Sequence, residues 1–290
     1  MSPPPPADSV AAPLGVPSPG RPSRVRSGSR LGGAGGLGLG LSTLYLSVIV
    51  LLPVAALISV ALGSGLHAFW SSFTNTTALK ALEQTLAISA IVAAIGSVMG
   101  TLVAWVLVRD QFPGKRILNA VIDLPFALPT IVASLALLGL YGTGSPVGID
   151  IALTKTIVAV ALLFVTLPFA VRSVQPVLLE LDQDVEEAAA SLGASNAMTF
   201  RRIVLPALRP AILSGTALSF ARCMGEYGSI VLLAAAKIQL ASLVIFADVE
   251  SATGSGNSAY QPAAGLSVAL LVIALVVLFG LRKWGSDSGN

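Results

Sequence analysis

Six stretches of about 20 mostly apolar residues punctuate this chain, at about residues 41 to 62, 85 to 108, 118 to 141, 156 to 174, 211 to 235 and 264 to 281. A bilayer core about 30 Å thick takes about 20 helical residues to cross, and in lipid every backbone polar group has to be satisfied within the spanning structure. The expected fold is therefore an all-α integral membrane protein with six transmembrane helices. Composition agrees: 11% of the residues are charged, against roughly 25% in an ordinary soluble domain. Residues 1 to 40 are rich in Pro, Gly and Ser without apolar periodicity, and are expected to form a disordered tail. A cleavable signal peptide would need a short basic start followed by an apolar core, which this stretch lacks. The membrane domain is then 41 to 282, and 283 to 290 form a short C-terminal tail.

Basic residues decide between the two orientations that six spans permit. One side collects Arg21, Arg24, Arg26, Arg30, Arg109, Lys115, Arg116, Arg172, Arg201, Arg202, Arg209, Arg282 and Lys283, while the other holds Lys80, Lys155 and Lys237. By the positive-inside rule both termini are cytoplasmic. The net charge of +3 is thus a matter of topology, and no nucleic-acid partner is expected. Cys223 is the single cysteine, so an intrachain disulfide is impossible and a metal cluster is not expected. His67, the only histidine, is expected in a loop, solvated rather than acting as a ligand. No Ser/His/Asp set, metal-ligand spacing or paired intramembrane carboxylates points to catalysis.

The loop before the fifth apolar block, 180 to 206, is polar and on this orientation cytoplasmic. Val185, Ala188, Ala189 and Leu192 recur at the spacing of one helical face. Glu180, Asp182, Asp184, Glu186 and Glu187 crowd the start of that helix, where carboxylates meet the positive end of the helix dipole. Gly193 suits a left-handed helix end. Ser195 suits an N-cap, opening a second short helix with Phe200, Ile203 and Val204 that Pro206 is expected to terminate. Two readings of the first helix stand side by side, a docking helix for another protein and an amphipathic helix on lipid headgroups. Its acidic start and small residues Ala188, Ala189 and Ala190 favour docking, since headgroup helices are usually basic and bulky.

At these residues the chain resembles a known family. Glu187-Ala188-Ala189, three residues, Gly193, nine residues, then Ile203-x-Leu205-Pro206 is similar to the EAA signature of the membrane subunits of bacterial ABC importers. The resemblance implies a type I ABC importer-like permease fold in the cell inner membrane. It also implies that this loop is a coupling helix docked on a cytoplasmic ABC ATPase dimer, with ATP-Mg bound by that partner and no cofactor on this chain. A second permease subunit, related or identical, and an extracytoplasmic binding protein complete the assembly that it implies. No G-x-x-x-x-G-K-[ST] occurs here; at Gly114-Lys115 the upstream glycine is replaced by Arg109. Further stretches, at 105 to 142, 166 to 195 and 217 to 234, resemble the CysT-type permeases of sulfate/thiosulfate importers. Molybdate permeases share much of the coupling loop and a "GE(F/Y)G" in the following span, whereas "DLPFALPT" and "VQPVLLE" lean towards sulfate. Tyr227 stands where phenylalanine is commoner.

Inside the apolar blocks, Arg222 and Glu226 are four apart and expected to pair on one helical face. They serve either as a structural pair or, with Ser219, along a translocation path, because charges in a span usually face a bundle interior or a wet cavity. Asp123, Pro125 and Pro129 are expected to kink the third span, as an inner gate or hinge or as a plain packing kink. Gly96 and Gly100 read as a close helix contact. The function expected is a permease subunit of an ATP-driven sulfate/thiosulfate importer, with a molybdate/tungstate permease, an ion-coupled secondary transporter and a membrane-embedded enzyme as alternatives.

Overall fold

The computed structural model describes residues 33–234 and 238–287. The tail expected at 1 to 40 lies outside them up to residue 32, as do Lys237 and the last three residues. The chain divides after Leu51 into two units. The described part of the first is an apolar helix α1, Gly33–Leu46, followed by a π-helical turn, Ser47–Leu51. Leu41, Leu44, Val48 and Ile49 are all exposed there, as side chains meant for lipid would be.

The second unit opens with α2 (Leu52–Leu62) and α3 (Leu66–Thr74), and α4 (Thr76–Arg109) follows. Asn75 caps α4 by accepting the Ala78 N–H at 2.8 Å. One narrow face of α4, through Thr85, Val92, Gly96, Gly100, Ala104 and Leu107, is buried. The opposite face, with Ile91, Ile95, Val98 and Leu102, is as apolar but exposed. The buried face packs on α7 (Lys155–Glu180), the most extensive helix pair in the fold. A methyl group added at Gly100 would lie 2.5 Å from Cβ of Ala170, so glycine is needed there for the two backbones to approach. Gly96 is in looser contact with Leu163, so the two helices run side by side in the same direction.

α10 (Leu205–Met224) runs back along them, and α11 (Ala241–Ala252) and α12 (Gln261–Asp287) close the bundle. Five helical stretches are long and apolar enough to cross a bilayer: Gly38–Leu62, Thr76–Arg109, Lys155–Glu180, Asn196–Met224 and Ser258–Gly285. The third apolar block differs from the single kinked span expected. It is two helices, α5 (Lys115–Ala127) and α6 (Thr130–Tyr141), bent by 116°. Pro129 supplies the reason: it has no N–H to donate and drives the preceding residue out of the helical region, and Leu128 is extended at φ −88°, ψ 133°. At 1.5 Å per residue α6 alone is only about 18 Å long, so the block adds a sixth span only if the bent pair is counted as one.

The fifth block also differs. Its helix begins before 211 and stops at Met224, capped by Gly225, so Glu226 lies beyond the helix end rather than on its face.

Candidate functional site

The loop carrying the EAA signature is built as a rigid hook. α8 (Gln183–Ser191) starts at Asp182, whose carboxylate accepts the Asp184 N–H at 3.0 Å. At its other end Gly193 takes φ +83°. The Gly193 N–H then donates to the Ala190 carbonyl at 2.9 Å and the Ala194 N–H to the Ala189 carbonyl at 3.0 Å, the paired bonds of a Schellman ending. Ser195 caps α9 (Asn196–Thr199), accepting the Met198 N–H at 3.3 Å.

Pro206 does not terminate this second helix as expected. α9 passes through a π-helical turn, Phe200–Val204, directly into α10, with the Leu205 N–H reaching the Phe200 carbonyl five residues back. Widening the turn lets proline sit in the first turn of α10, where its missing N–H costs little.

The outward face of the hook is uncovered. Glu187, Ala188 and Ala190 are exposed, and Leu192 is 89% exposed. Val185 and Met198 are also exposed, while Ala189 and Ile203 are half-buried. Leu205 and Pro206 are exposed as well, so what fixes the hook is neither of these but Val204. That residue is fully buried with Leu107, Ile122, Val174, Leu178 and Leu208.

Two anchors carry no signal in the sequence. Arg109, the last residue of α4, makes an ion pair with Glu186 in the first turn of α8. Trp105, one turn earlier on α4, meets the Phe200 ring edge-on at 5.4 Å. Arg109 and Glu186 are 77 residues apart, and nothing local in either segment signals the pairing.

Arg222, Glu226 and Asp123, the charges singled out inside the apolar blocks, each have a partner. Arg222 Nη1 lies 2.5 Å from Glu226 Oε2, and the Glu226 side chain is 2% exposed. Its other oxygen accepts the Ser229 N–H at 2.8 Å. Ser242 donates its hydroxyl to the Glu226 carbonyl at 2.8 Å. The pairing is as expected, but it bridges α10 and the turn beyond it. Ser219 is buried and donates to the Thr166 carbonyl on α7 at 3.3 Å. Asp123 is held by Arg172 in a two-pronged pair, Nε to Oδ1 at 2.9 Å and Nη2 to Oδ2 at 2.5 Å, which ties α5 to α7. Asn119 accepts a further bond from Arg172 at 3.1 Å. Pro125 lies inside α5, and Pro129 marks the break itself.

That break abuts the other interrupted segment. Ser134 on α6 donates to the Gly228 carbonyl at 2.8 Å, and a methyl group at Gly228 would collide with Thr130 at 2.1 Å. An open cleft of about 510 Å³ lies between α10, α11 and α12, lined by Met224, Tyr227, Ser242, Phe246 and Leu270. It is mainly apolar, and neither Arg222 nor Glu226 lines it. Among the described residues no cluster of His, Cys, Asp and Glu has the make-up of a metal site.

Residues 94–282 match the family described as binding-protein-dependent transport system inner membrane component. The sulfate transport system permease protein CysT of Synechocystis sp. is 44% identical over 263 residues, 86% of this chain and 90% of that protein. CysT of Escherichia coli is 40% identical over 265 residues, 88% of this chain and 93% of that one. Among solved structures, a bacterial alginate ABC transporter in complex with an alginate pentasaccharide-bound periplasmic protein aligns with a TM-score of 0.71 at 16% identity. The alignment covers 88% of this chain and 94% of that one. The MetNI methionine ABC transporter in an inward-facing conformation aligns at 0.58 and 19% identity, over 73% and 96%. These two share the fold. From the family match and the relatives at this level of identity, the chain belongs to the inner membrane components of binding-protein-dependent transport systems, the permease subunits of ABC transporters.

Proposed function

We propose that this chain is the permease subunit of an ATP-driven importer of sulfate or thiosulfate in a bacterial cytoplasmic membrane. The observation that carries the coupling half of this reading is the hook at 182 to 206. Its backbone is fixed by caps and a buried valine, yet Val185, Ala188 and Leu192 face outward. An apolar patch held rigidly on a polar loop is a surface for another protein, and small residues beside it allow close approach. The partner is a cytoplasmic ATPase dimer, which binds ATP-Mg; Glu187, Ala188, Ala189, Gly193, Ile203, Leu205 and Pro206 supply the docked surface or its shape. Sulfate is supported by the relatives, at 44% and 40% identity, that carry the sulfate transport name.

Both termini lie in the cytoplasm on this reading, with α5 and α6 counted as one crossing. Arg109, Lys115 and Arg116 then share the cytoplasmic side with the hook, as the excess of basic residues requires. ATP binding closes the ATPase pair, draws the hooks of two permease subunits together and opens the path outward to receive the anion from a binding protein. Hydrolysis resets it. Arg222 offers positive charge to a passing dianion, and Glu226 offsets that charge so that the anion leaves again. Asp123, Pro125 and Pro129 form the hinge region of the inner gate, with Asp123 latched by Arg172.

The test is uptake of labelled sulfate by vesicles holding this chain with its ATPase, second permease and binding protein, with excess thiosulfate or molybdate as competitor. ATP-dependent uptake that thiosulfate blocks and molybdate does not, and that Gly193→Val abolishes while the chain still inserts, is the expected result. Better competition by molybdate overturns the substrate, and uptake without ATP overturns the importer.

A further inference from the structure

One guanidinium joins both arms of the hook to the end of a membrane helix. Arg109 closes α4, where a cation is favoured by the carbonyl end of the helix. Its Nη2 pairs with the Glu186 carboxylate on α8 and reaches the Leu181 carbonyl at 3.4 Å. The same guanidinium stands 5.8 Å from the centre of the Trp105 ring, and Trp105 bears on Phe200 in the turn that leads into α10. α8 is thus held through Glu186 and the return arm through Phe200, both at the last turn of α4. Neighbouring carboxylates on α8 are turned about 100° apart by the helix. Glu186 therefore points in to Arg109 while Glu187 is exposed.

We propose that Arg109 is a positioning residue that transmits displacement of the docked hook to α4, with Glu186 as its lever. The inference rests on the coupling reading above and adds to the EAA signature a residue outside it. Mechanically the connection suits the task. The Arg109 side chain is 11% exposed, so its ion pair is screened less than a surface pair. α4 is packed closely enough against α7 at Gly100 that the backbones are in contact there. The Nε of Arg109 is buried without a hydrogen-bond partner, which raises the energy of this arrangement relative to one that satisfies the donor.

The experiment uses the reconstituted complex with sulfate as cargo and compares wild type with Arg109→Gln, Glu186→Gln, the double change and the charge exchange Arg109→Glu/Glu186→Arg. Three quantities are read: ATPase retained on purification, ATP hydrolysed, and sulfate taken up per ATP. Each single change is expected to keep the ATPase bound and hydrolysing while uptake per ATP falls about tenfold, in the range of a single coupling contact. The double change should be no worse than the worse single, because both act through one contact, and the exchange should recover part of the loss.

Parallel loss of ATPase binding and uptake would reduce Arg109 to a structural tie, and unchanged uptake per ATP would remove it from the coupling route. Should Arg109→Gln fail to accumulate, Glu186→Gln on the exposed loop carries the test. Wild-type complex without ATP-driven sulfate uptake counts against the proposed function, whereas normal wild type with indifferent variants counts against this inference alone.

Discussion

Gly100→Ala should destabilise the bundle, whereas Gly96→Ala, one turn away on the same face of α4, should not. The new methyl at 100 would stand 2.5 Å from Cβ of Ala170 and 3.1 Å from the backbone nitrogen of Val171. Carbon atoms pack at about 3.5 to 4.0 Å, so α4 and α7 would have to part by about 1 to 1.5 Å. Ala170 has no rotamer with which to yield. Overpacking of this kind costs about 1–3 kcal/mol, and an obstacle made of backbone and an alanine Cβ, neither of which can swing aside, puts this site at the upper end. At about 2–4 °C per kcal/mol for a chain of this size, the melting midpoint should drop by about 5–10 °C.

At Gly96 the added methyl meets only the tip of Leu163 at 3.5 Å, an ordinary contact. Alanine's better helix propensity, worth about 1 kcal/mol in a helix interior, makes that change neutral or mildly stabilising. The assay is thermal melting in mild detergent, followed by the monodisperse fraction on size exclusion. Moving the methyl across the interface, in Gly100→Ala/Ala170→Gly, should restore most of the loss. Equal midpoints for the two alanine variants would refute the packing argument, as would a double variant no better than Gly100→Ala.

Gly193→Asn should be tolerated and Gly193→Val should not, since a φ of +83° costs an ordinary L-residue about 1–2 kcal/mol and asparagine less; ATPase co-purification and uptake rank the two. Glu226→Leu leaves the Arg222 charge without its partner in a site where the acid is 2% exposed. Breaking a buried pair costs about 3–5 kcal/mol, less here because Arg222 reaches partly exposed space; Glu226→Gln, which can still accept from Ser229, should cost less, and the melting midpoints check the order. Arg172→Lys keeps the charge but loses the two-pronged grip on Asp123. The pair is partly exposed, so a double-mutant cycle with Asp123→Asn should give a coupling of only about 1 kcal/mol, and an energy near zero would show that α5 is held by Asn119 and packing instead.

What the sequence disclosed about this chain followed the range of the interactions concerned. Spans were visible because the bilayer imposes a length on every one of them, and the ends of α8 because Asp182, Gly193 and Ser195 act on backbone groups within a few residues. Gly100 was legible for a related reason, small residues at helical spacing having few uses in a span. The misreadings arose where local rules had a tertiary alternative. Pro206 is a helix breaker by propensity, but a π-helical turn before it relieves the clash and keeps the helix going. Pro129 looked like a kink and is a 116° break, because Ser134 and Thr130 seat the start of α6 against Gly228 almost a hundred residues away.

Spacing alone put Glu226 on a helix face with Arg222. It meets Arg222 all the same, because an acid buried this deeply must find a cation wherever the helix happens to end. Arg109 belonged to the positive-inside count and was invisible as anything more. Its charge could be assigned to a side of the membrane from sequence, but its partner could not, since Glu186 reaches it only after α4, α7 and the hook have packed. Residue by residue, then, the surface offered to a partner was written locally, and the connection from that surface to the membrane helices was written only in the tertiary fold.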